Sequence, residues 1–268
     1  MSLPVDKALR KAQSHIKVGE LAEAEELYKQ VLLKYPKNKK AIQGYQKLKA
    51  GITSKNALTI EPPQELIDEA ISLYNQGQFK ELLSKVDPLL SLFPKATALF
   101  NLQGACNAAL QNHDSAIDSY KQAIRIQPDC AEAYCNMGAS QNDKGDLDAA
   151  IGSYKRAIKI KPHYADAHSN MGNTLKENGD FDAAIDNYRQ AIKINPSYAE
   201  AYCNMGNALQ QKGQLNAAID SYKQATKIKP DYAKAYYNMG AALQEQNEIT
   251  ASINNYKKAI KIKPDYAE

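Results

Sequence analysis

Tryptophan is absent from this chain, and phenylalanine and cysteine each occur only 4 times among 268 residues. No apolar run approaches the ~18 residues that a membrane-spanning helix needs, so membrane insertion is not expected. The opening residues MSLPVDKALRKAQ hold no apolar stretch of signal-peptide length, and the chain is expected in the cytoplasm. Cys106, Cys130, Cys135 and Cys203 show no Cys-x-x-Cys spacing, which favours reduced thiols over a zinc site or a disulfide framework.

Charge of one sign is also scarce over most of the chain. The net charge of +4 is concentrated in residues 1–62, with 12 Lys and Arg against 6 Asp and Glu; the remainder holds 22 against 24. There is no Arg-rich run and no aromatic ladder interleaved with basic residues, so a nucleic-acid partner is not expected. No catalytic set is visible. His15, His113, His163 and His168 stand in separate contexts, and His163 with His168 lacks thiolate or carboxylate partners at zinc-motif spacing. The chain is therefore expected to be neither an enzyme nor a holder of a cofactor or metal.

What the sequence does have is a period. Pro94, Pro128, Pro162, Pro196, Pro230 and Pro264 are 34 residues apart, and each closes a copy of one two-helix pattern. In residues 131–164, Tyr134, Met137, Gly138 and Gln141 recur at the spacing of one helix face. After Lys144-Gly145-Asp146, Leu147, Ala150, Ile151, Tyr154, Ala157 and Ile158 form the inner face of a second helix, and Pro162 marks the start of the next unit. Gly145, Gly179 and Gly213, with Asn247 in the fourth copy, sit where a left-handed helix cap is required. Gly138, Gly172, Gly206 and Gly240 are expected to face Ala150, Ala184, Ala218 and Ser252 across a close helix contact. The 17 tyrosines are mostly core residues, since Tyr120, Tyr154, Tyr188, Tyr222 and Tyr256 recur in the same place. His168 takes an aromatic core place and His113 an apolar one.

This order of aromatic, apolar, Gly, Ala, aromatic, Ala and Pro resembles the tetratricopeptide repeat (TPR) family nearly position for position. The resemblance implies an all-α fold, a right-handed superhelical solenoid of antiparallel helix pairs. Repeats are expected at 97–130, 131–164, 165–198, 199–232 and 233–266, with a divergent one at 63–96. Ala8, Ala12, Gly19, Ala24, Tyr28 and Pro36 carry the pattern more loosely. Pro36 and Pro94 are 58 residues apart, longer than one period by 24. Hence an N-terminal TPR-like module is expected over 1–50, one repeat plus a covering helix at 39–50, then a linker over 51–62 and the array over 63–268. Pro88, inside an expected second helix from Phe79 to Phe93, should kink or break it.

The resemblance also places Asn136, Asn170, Asn204 and Asn238, two residues before each repeat glycine, on the concave groove. A carboxamide carries donor and acceptor, so it can pair with a peptide backbone whatever the side chains. The same ladder is a feature of the superhelical TPR segment of O-linked N-acetylglucosamine transferases, which this array resembles. The bland alternative is that these asparagines only bridge helices inside the stack. Asn173 and Asn207 add amides. Glu132, Asp166 and Glu200, with Asp143, Glu177 and Glu245, make the groove mildly acidic, interrupted by Lys176 and Lys234. Tyr237 is expected on the groove side, where its counterparts Cys135, Ser169 and Cys203 are small and supply no lysine for gripping a C-terminal carboxylate. A second row, Lys121, Lys155, Arg189, Lys223 and Lys257 with Arg125, Lys159, Lys193, Lys227 and Lys261, reads as a solvated ridge, blunted by Asp118, Asp186 and Asp220.

The function expected is a protein-interaction scaffold binding an extended, neutral to basic peptide or protein in the groove. The alternative is the N-terminal substrate-recruiting arm of a larger glycosyl- or sulfotransferase. Self-association through the uncapped last repeat, or fraying there, is also expected.

Overall fold

The computed structural model describes residues 4–52 and 62–264, and every described regular element is a helix. The chain divides into two compact units, Met1–Asp129 and Cys130–Glu268. The first holds α1 (Val5–Val18), α2 (Leu21–Lys34), α3 (Lys39–Ile52), α4 (Gln64–Asn75), α5 (Phe79–Leu92), α6 (Thr97–Ala109) and α7 (His113–Ile126). The second holds α8 (Ala131–Asp143), α9 (Leu147–Ile160), α10 (Ala165–Glu177), α11 (Phe181–Ile194), α12 (Ala199–Gln211), α13 (Leu215–Ile228), α14 (Ala233–Glu245) and α15 (Ile249–Ile262). The covering helix is α3 and runs to Ile52, while residues 53–61 of the expected linker lie outside the described residues.

The two-helix unit is made by its turn. Gly145, Gly179 and Gly213 adopt φ of 85°, 83° and 71°, and Asn247 follows at 64°. At the first of these the Gly145 N–H donates to the Asn142 carbonyl at 2.8 Å and the Asp146 N–H to the Gln141 carbonyl at 2.9 Å. Those bonds satisfy the last carbonyls of α8 and reverse the chain within one turn. The equivalent place in the preceding repeat is Gln111 at φ 62°, where a β-carbon must be tolerated in the left-handed region.

Packing within each pair rests on a glycine and a tyrosine. A β-carbon added to Gly138, Gly172, Gly206 or Gly240 would come within 2.8, 2.7, 2.5 or 2.9 Å of the ring of Tyr154, Tyr188, Tyr222 or Tyr256. The tyrosine one turn beyond the expected alanine is thus what demands the glycine. The alanines are fully buried beside it, and only Ser252 shows a direct bond, its hydroxyl donating to the Gly240 carbonyl at 2.8 Å. Within the second unit each second helix then packs on the next first helix, and successive first helices also touch. Apolar contact is therefore local to neighbouring pairs, as in a solenoid.

The expected break at Pro88 does not occur: α5 runs unbroken from Phe79 to Leu92 with the proline inside it. Leu82, Val86, Leu89 and Leu92 are buried along one face and hold the helix against its neighbours. Ser84, whose carbonyl loses its donor to the proline ring, lies on the exposed side, where water can replace the missing N–H.

Candidate functional site

The first helices of the second unit bring the asparagine ladder to one side, because a 34-residue repeat returns the same helical face each time. All four asparagines are half-buried. Asn204 Nδ2 donates to Asn173 Oδ1 at 3.0 Å, and Asn238 Nδ2 donates to Asn207 Oδ1 at 2.7 Å. Each acceptor takes a second donor from within its own repeat, the Tyr188 hydroxyl at 2.7 Å and the Tyr222 hydroxyl at 2.8 Å. Both lone pairs of those carbonyls are thereby filled. Ala139 stands at the equivalent place one repeat earlier, so Asn170 Nδ2 meets only the soft Cys135 sulfur, at 4.0 Å. Asn238 likewise approaches Cys203 Sγ at 3.9 Å.

The ladder also borders open space. Asn170, Asn173 and Asn204 line a depression of about 370 Å³ with Asn142, Thr174 and Lys176. Asp143, Glu177 and Lys234 line it as well, so two carboxylates stand against two lysines, Lys176 and Lys234. Asn207 and Asn238 line a second depression of about 510 Å³, which shares Lys176 and Lys234 with the first and has Gln210 and Gln211 beside them. Asn136 lines neither. For Asn204 the geometry leaves the side-chain carbonyl and one amide hydrogen without a described protein partner, and for Asn238 the side-chain carbonyl. These side chains bridge helices and border a groove at once.

Three expected features fall elsewhere. Glu132, Asp166 and Glu200 line neither depression: Asp166 accepts from the Tyr198 hydroxyl at 2.9 Å and Glu200 lies 3.6 Å from the Lys229 ammonium. The second depression is lined by lysines and amides with Phe181 and Ala241, and by no carboxylate. Cys135, Ser169 and Cys203 are buried under the following repeat, so that position is a seam between repeats and does not open on the groove. Tyr237, with no further described pair over it, is 42% exposed and stacks at a tilt on Tyr256, with ring centroids 5.4 Å apart. Burial pushes the Cys135 thiol up to about 11. Burial, then the bond to Asp166, pushes the Tyr198 phenol up to about 12.

The basic row on the second helices is exposed and partly paired, with Lys121–Asp118 at 3.5 Å, Arg189–Asp186 at 3.0 Å and Lys223–Asp220 at 3.1 Å. Such surface pairs contribute little. His168 is held by Asn187 and the Pro162 carbonyl, both at 3.3 Å, as a structural residue would be. Among the described residues no group of His, Cys, Asp and Glu could hold a metal ion, and no helix is long and apolar enough to cross a membrane.

Sequence reading passed over Asn142 and Gln210. Asn142 accepts from the Thr174 hydroxyl at 2.5 Å and donates to Glu177 at 3.0 Å; Gln210 donates to Glu245. Their signal was available, since Asn142, Lys176, Gln210 and Gln244 form a second polar row four residues after the repeat glycines.

Comparison with known proteins bears on the same surfaces. A family model described as TPR repeat matches residues 108–142, 141–179, 172–213 and 206–247, and models described as tetratricopeptide repeat match 233–266 and 8–38. A probable UDP-N-acetylglucosamine–peptide N-acetylglucosaminyltransferase, SEC, of Arabidopsis thaliana is 38% identical over 77 residues, which is 29% of this chain and 8% of that protein. Among solved structures, the MamA protein is 27% identical with TM-score 0.56, covering 64% of this chain and 93% of its own. PilF of Pseudomonas aeruginosa reaches TM-score 0.66 at 11% identity, over 75% of this chain and 91% of its own. YrrB, described as a TPR protein with an unusual peptide-binding site, has TM-score 0.54 at 20% identity, over 67% of this chain and 93% of its own.

Proposed function

Because the chain belongs to the tetratricopeptide repeat family, we propose that it is a protein-interaction scaffold, working in the cytoplasm, whose second unit holds an extended peptide along its amide ladder. The observation that carries this reading is the pair of depressions bordered by Asn170, Asn204 and Asn238, whose carbonyls remain open. Open acceptors at one per repeat suit the N–H groups of an extended backbone. A net of about 0.5–1.5 kcal/mol per hydrogen bond gives roughly 1.5–4.5 kcal/mol for the three amides, enough for weak capture. Lys176 and Lys234 move the preference from basic peptides toward neutral ones.

The test uses an acetylated, amidated peptide of mixed sequence and two variants. Replacing Asn170, Asn204 and Asn238 with Ala should weaken binding at least about tenfold, the equivalent of 1.4 kcal/mol, with helical content retained. Replacing Asn173 and Asn207 with Ala removes the inter-helix acceptors and should weaken binding much less. Equal losses in both would reduce the ladder to a structural bridge.

A second reading is favoured by the match to the Arabidopsis transferase: the repeats recruit substrate for a catalytic domain on the same natural polypeptide. Reading the coding sequence downstream of Glu268 decides between the two. On the first reading the exposed apolar face of Tyr237 and Ile253 is a self-association surface, and serine at both positions should lower the mass measured by light scattering.

A further inference from the structure

The turn between α2 and α3 departs from the pattern of the later repeats. Leu33 and Tyr35 stand three residues and one residue before Pro36, and they are 40% and 44% exposed. Counted from the repeat proline, the same two places hold Lys159 and Lys161, Lys193 and Asn195, or Lys227 and Lys229, all polar and all exposed. The fold leaves these places in water and has no packing use for an apolar side chain there. One exposed leucine is ordinary; what sets this turn apart is the charge around the pair. From Leu27 to Ile52 the chain carries 7 lysines and no Asp or Glu.

Four of those lysines crowd the turn. Lys34 lies over the Tyr35 ring, 5.7 Å from its centroid. Lys37, Lys39 and Lys40 are exposed, and among the described residues none of the three is in an ion pair. Lys39 and Lys40 open α3, whose first turn has no acidic residue, so they sit at the positive end of the helix macrodipole, where a cation weakens the helix. Asp6, which lines a depression with Lys40, is the carboxylate that α1 brings to this edge. We propose that the α2–α3 turn is a peripheral membrane-docking tip, which lays Leu33 and Tyr35 into the headgroup boundary of a bilayer rich in anionic phospholipids while the four lysines meet the headgroups. A tyrosine suits that depth, with its ring out of water and its hydroxyl in it. Each lysine near such a surface adds about fivefold in affinity, the equivalent of about 1 kcal/mol. Charge or a small apolar anchor alone holds weakly, and the two together give reversible docking. Nucleic acid fits worse: Leu33 has nothing to bury against on a phosphate backbone, and the turn has no arginine for two-pronged phosphate contact. The tip lies in the first unit and does not depend on the amide ladder of the second.

The experiment is co-sedimentation of the full chain with vesicles of phosphatidylcholine, either alone or with about one-third phosphatidylserine. The chain should bind only the anionic vesicles, with affinity falling as salt rises. K37E/K39E/K40E should lose about a hundredfold or more, and L33S/Y35S about tenfold, a change equivalent to 1.4 kcal/mol. Reversal of the second-helix row by K155E/K159E/K223E, and the Asn170, Asn204 and Asn238 alanine variant, should leave vesicle binding unchanged. Should the triple reversal fail to fold, K37Q and K39Q, both at exposed positions, should each reduce affinity by about fivefold. Because the chain has no tryptophan, Tyr35→Trp supplies a reporter at the tip: its emission should move to shorter wavelength on anionic vesicles, while that of Tyr237→Trp should not. The proposal is overturned if the wild-type chain ignores the anionic vesicles, if L33S/Y35S binds them as the wild type does, if the second-helix reversal costs as much as reversal at the tip, or if the Tyr35→Trp emission stays where it was. It is overturned equally if an oligothymidylate binds more tightly than the vesicles do and K37E/K39E/K40E abolishes that binding.

Discussion

The inner repeats of the second unit and its last repeat have nearly the same sequence and very different surroundings. Tyr222 is fully buried, while its counterpart Tyr256 is partly exposed. Ile219 is 5% exposed and Ile253 is 47%. Cys203 is fully buried where Tyr237 is 42% exposed. A repeat in this fold therefore does not own its core: part of what encloses a second helix is supplied by the next pair, and its stability includes nearest-neighbour terms.

The sharpest way to break that comparison is to remove the same ring in both places. Tyr188→Ala should destabilise by about 3–5 kcal/mol, as loss of a buried aromatic does, and Tyr256→Ala by roughly 1 kcal/mol, because less surface leaves water at the end. Urea denaturation measures both, and equal effects would show that the last repeat is as well enclosed as the others. Glycine substitutions come next. Gly206→Ala places a β-carbon against the enclosed ring of Tyr222 and should cost about 1–3 kcal/mol, seen as a lowered Tm. Gly240→Ala should cost less, since the Tyr256 ring can turn outward.

A third difference appears with pH. The Tyr198 phenol is raised to about 12 in the folded chain, against about 10 when unfolded. Its contribution is complete below pH 10 and is lost as pH rises through 12, because the unfolded chain ionises first. Other buried tyrosines are raised as well, so thermal melts between pH 10 and 12 should show a loss that is smaller in Tyr198→Phe by an amount of order 1 kcal/mol. The caps give effects of similar or smaller size. Asn247→Gly should stabilise the last turn by a few tenths of a kcal/mol, and Gln111→Gly by about 1 kcal/mol or slightly more, as strain at positive φ is relieved. Hydrogen exchange at the α14 and α15 amides reports the first of these and also whether that end frays before the inner repeats.

Most of the fold was legible because 34-residue periodicity repeats each inference several times over: prolines, left-handed caps and core tyrosines fall where one copy of the pattern puts them. What stayed hidden was contact across the period. The pattern marks Gly172 and Ala184 as small, but only coordinates reveal that the Tyr188 ring fills the space beside the glycine. Cys135, Ser169 and Cys203 looked like groove residues because sequence shows which face they share and not how far the next helix overlaps it. For the ladder, sequence offered a choice between groove and bridge. The amide of Asn204 does both, since one hydrogen serves Asn173 while its carbonyl stays open.

The seam chemistry alternates in a way that bears on how such a chain changes length. Asn170 meets Cys135, and two repeats later Asn238 meets Cys203. Excising residues 165–232 would bring Asn238 against Cys135, so the junction re-forms from parts that already match. Loss or duplication of a pair thus alters the reach of the ladder while keeping the Asn–Cys contact of the seam, although Ala139 in the place of Asn207 would deprive Asn238 of its amide acceptor.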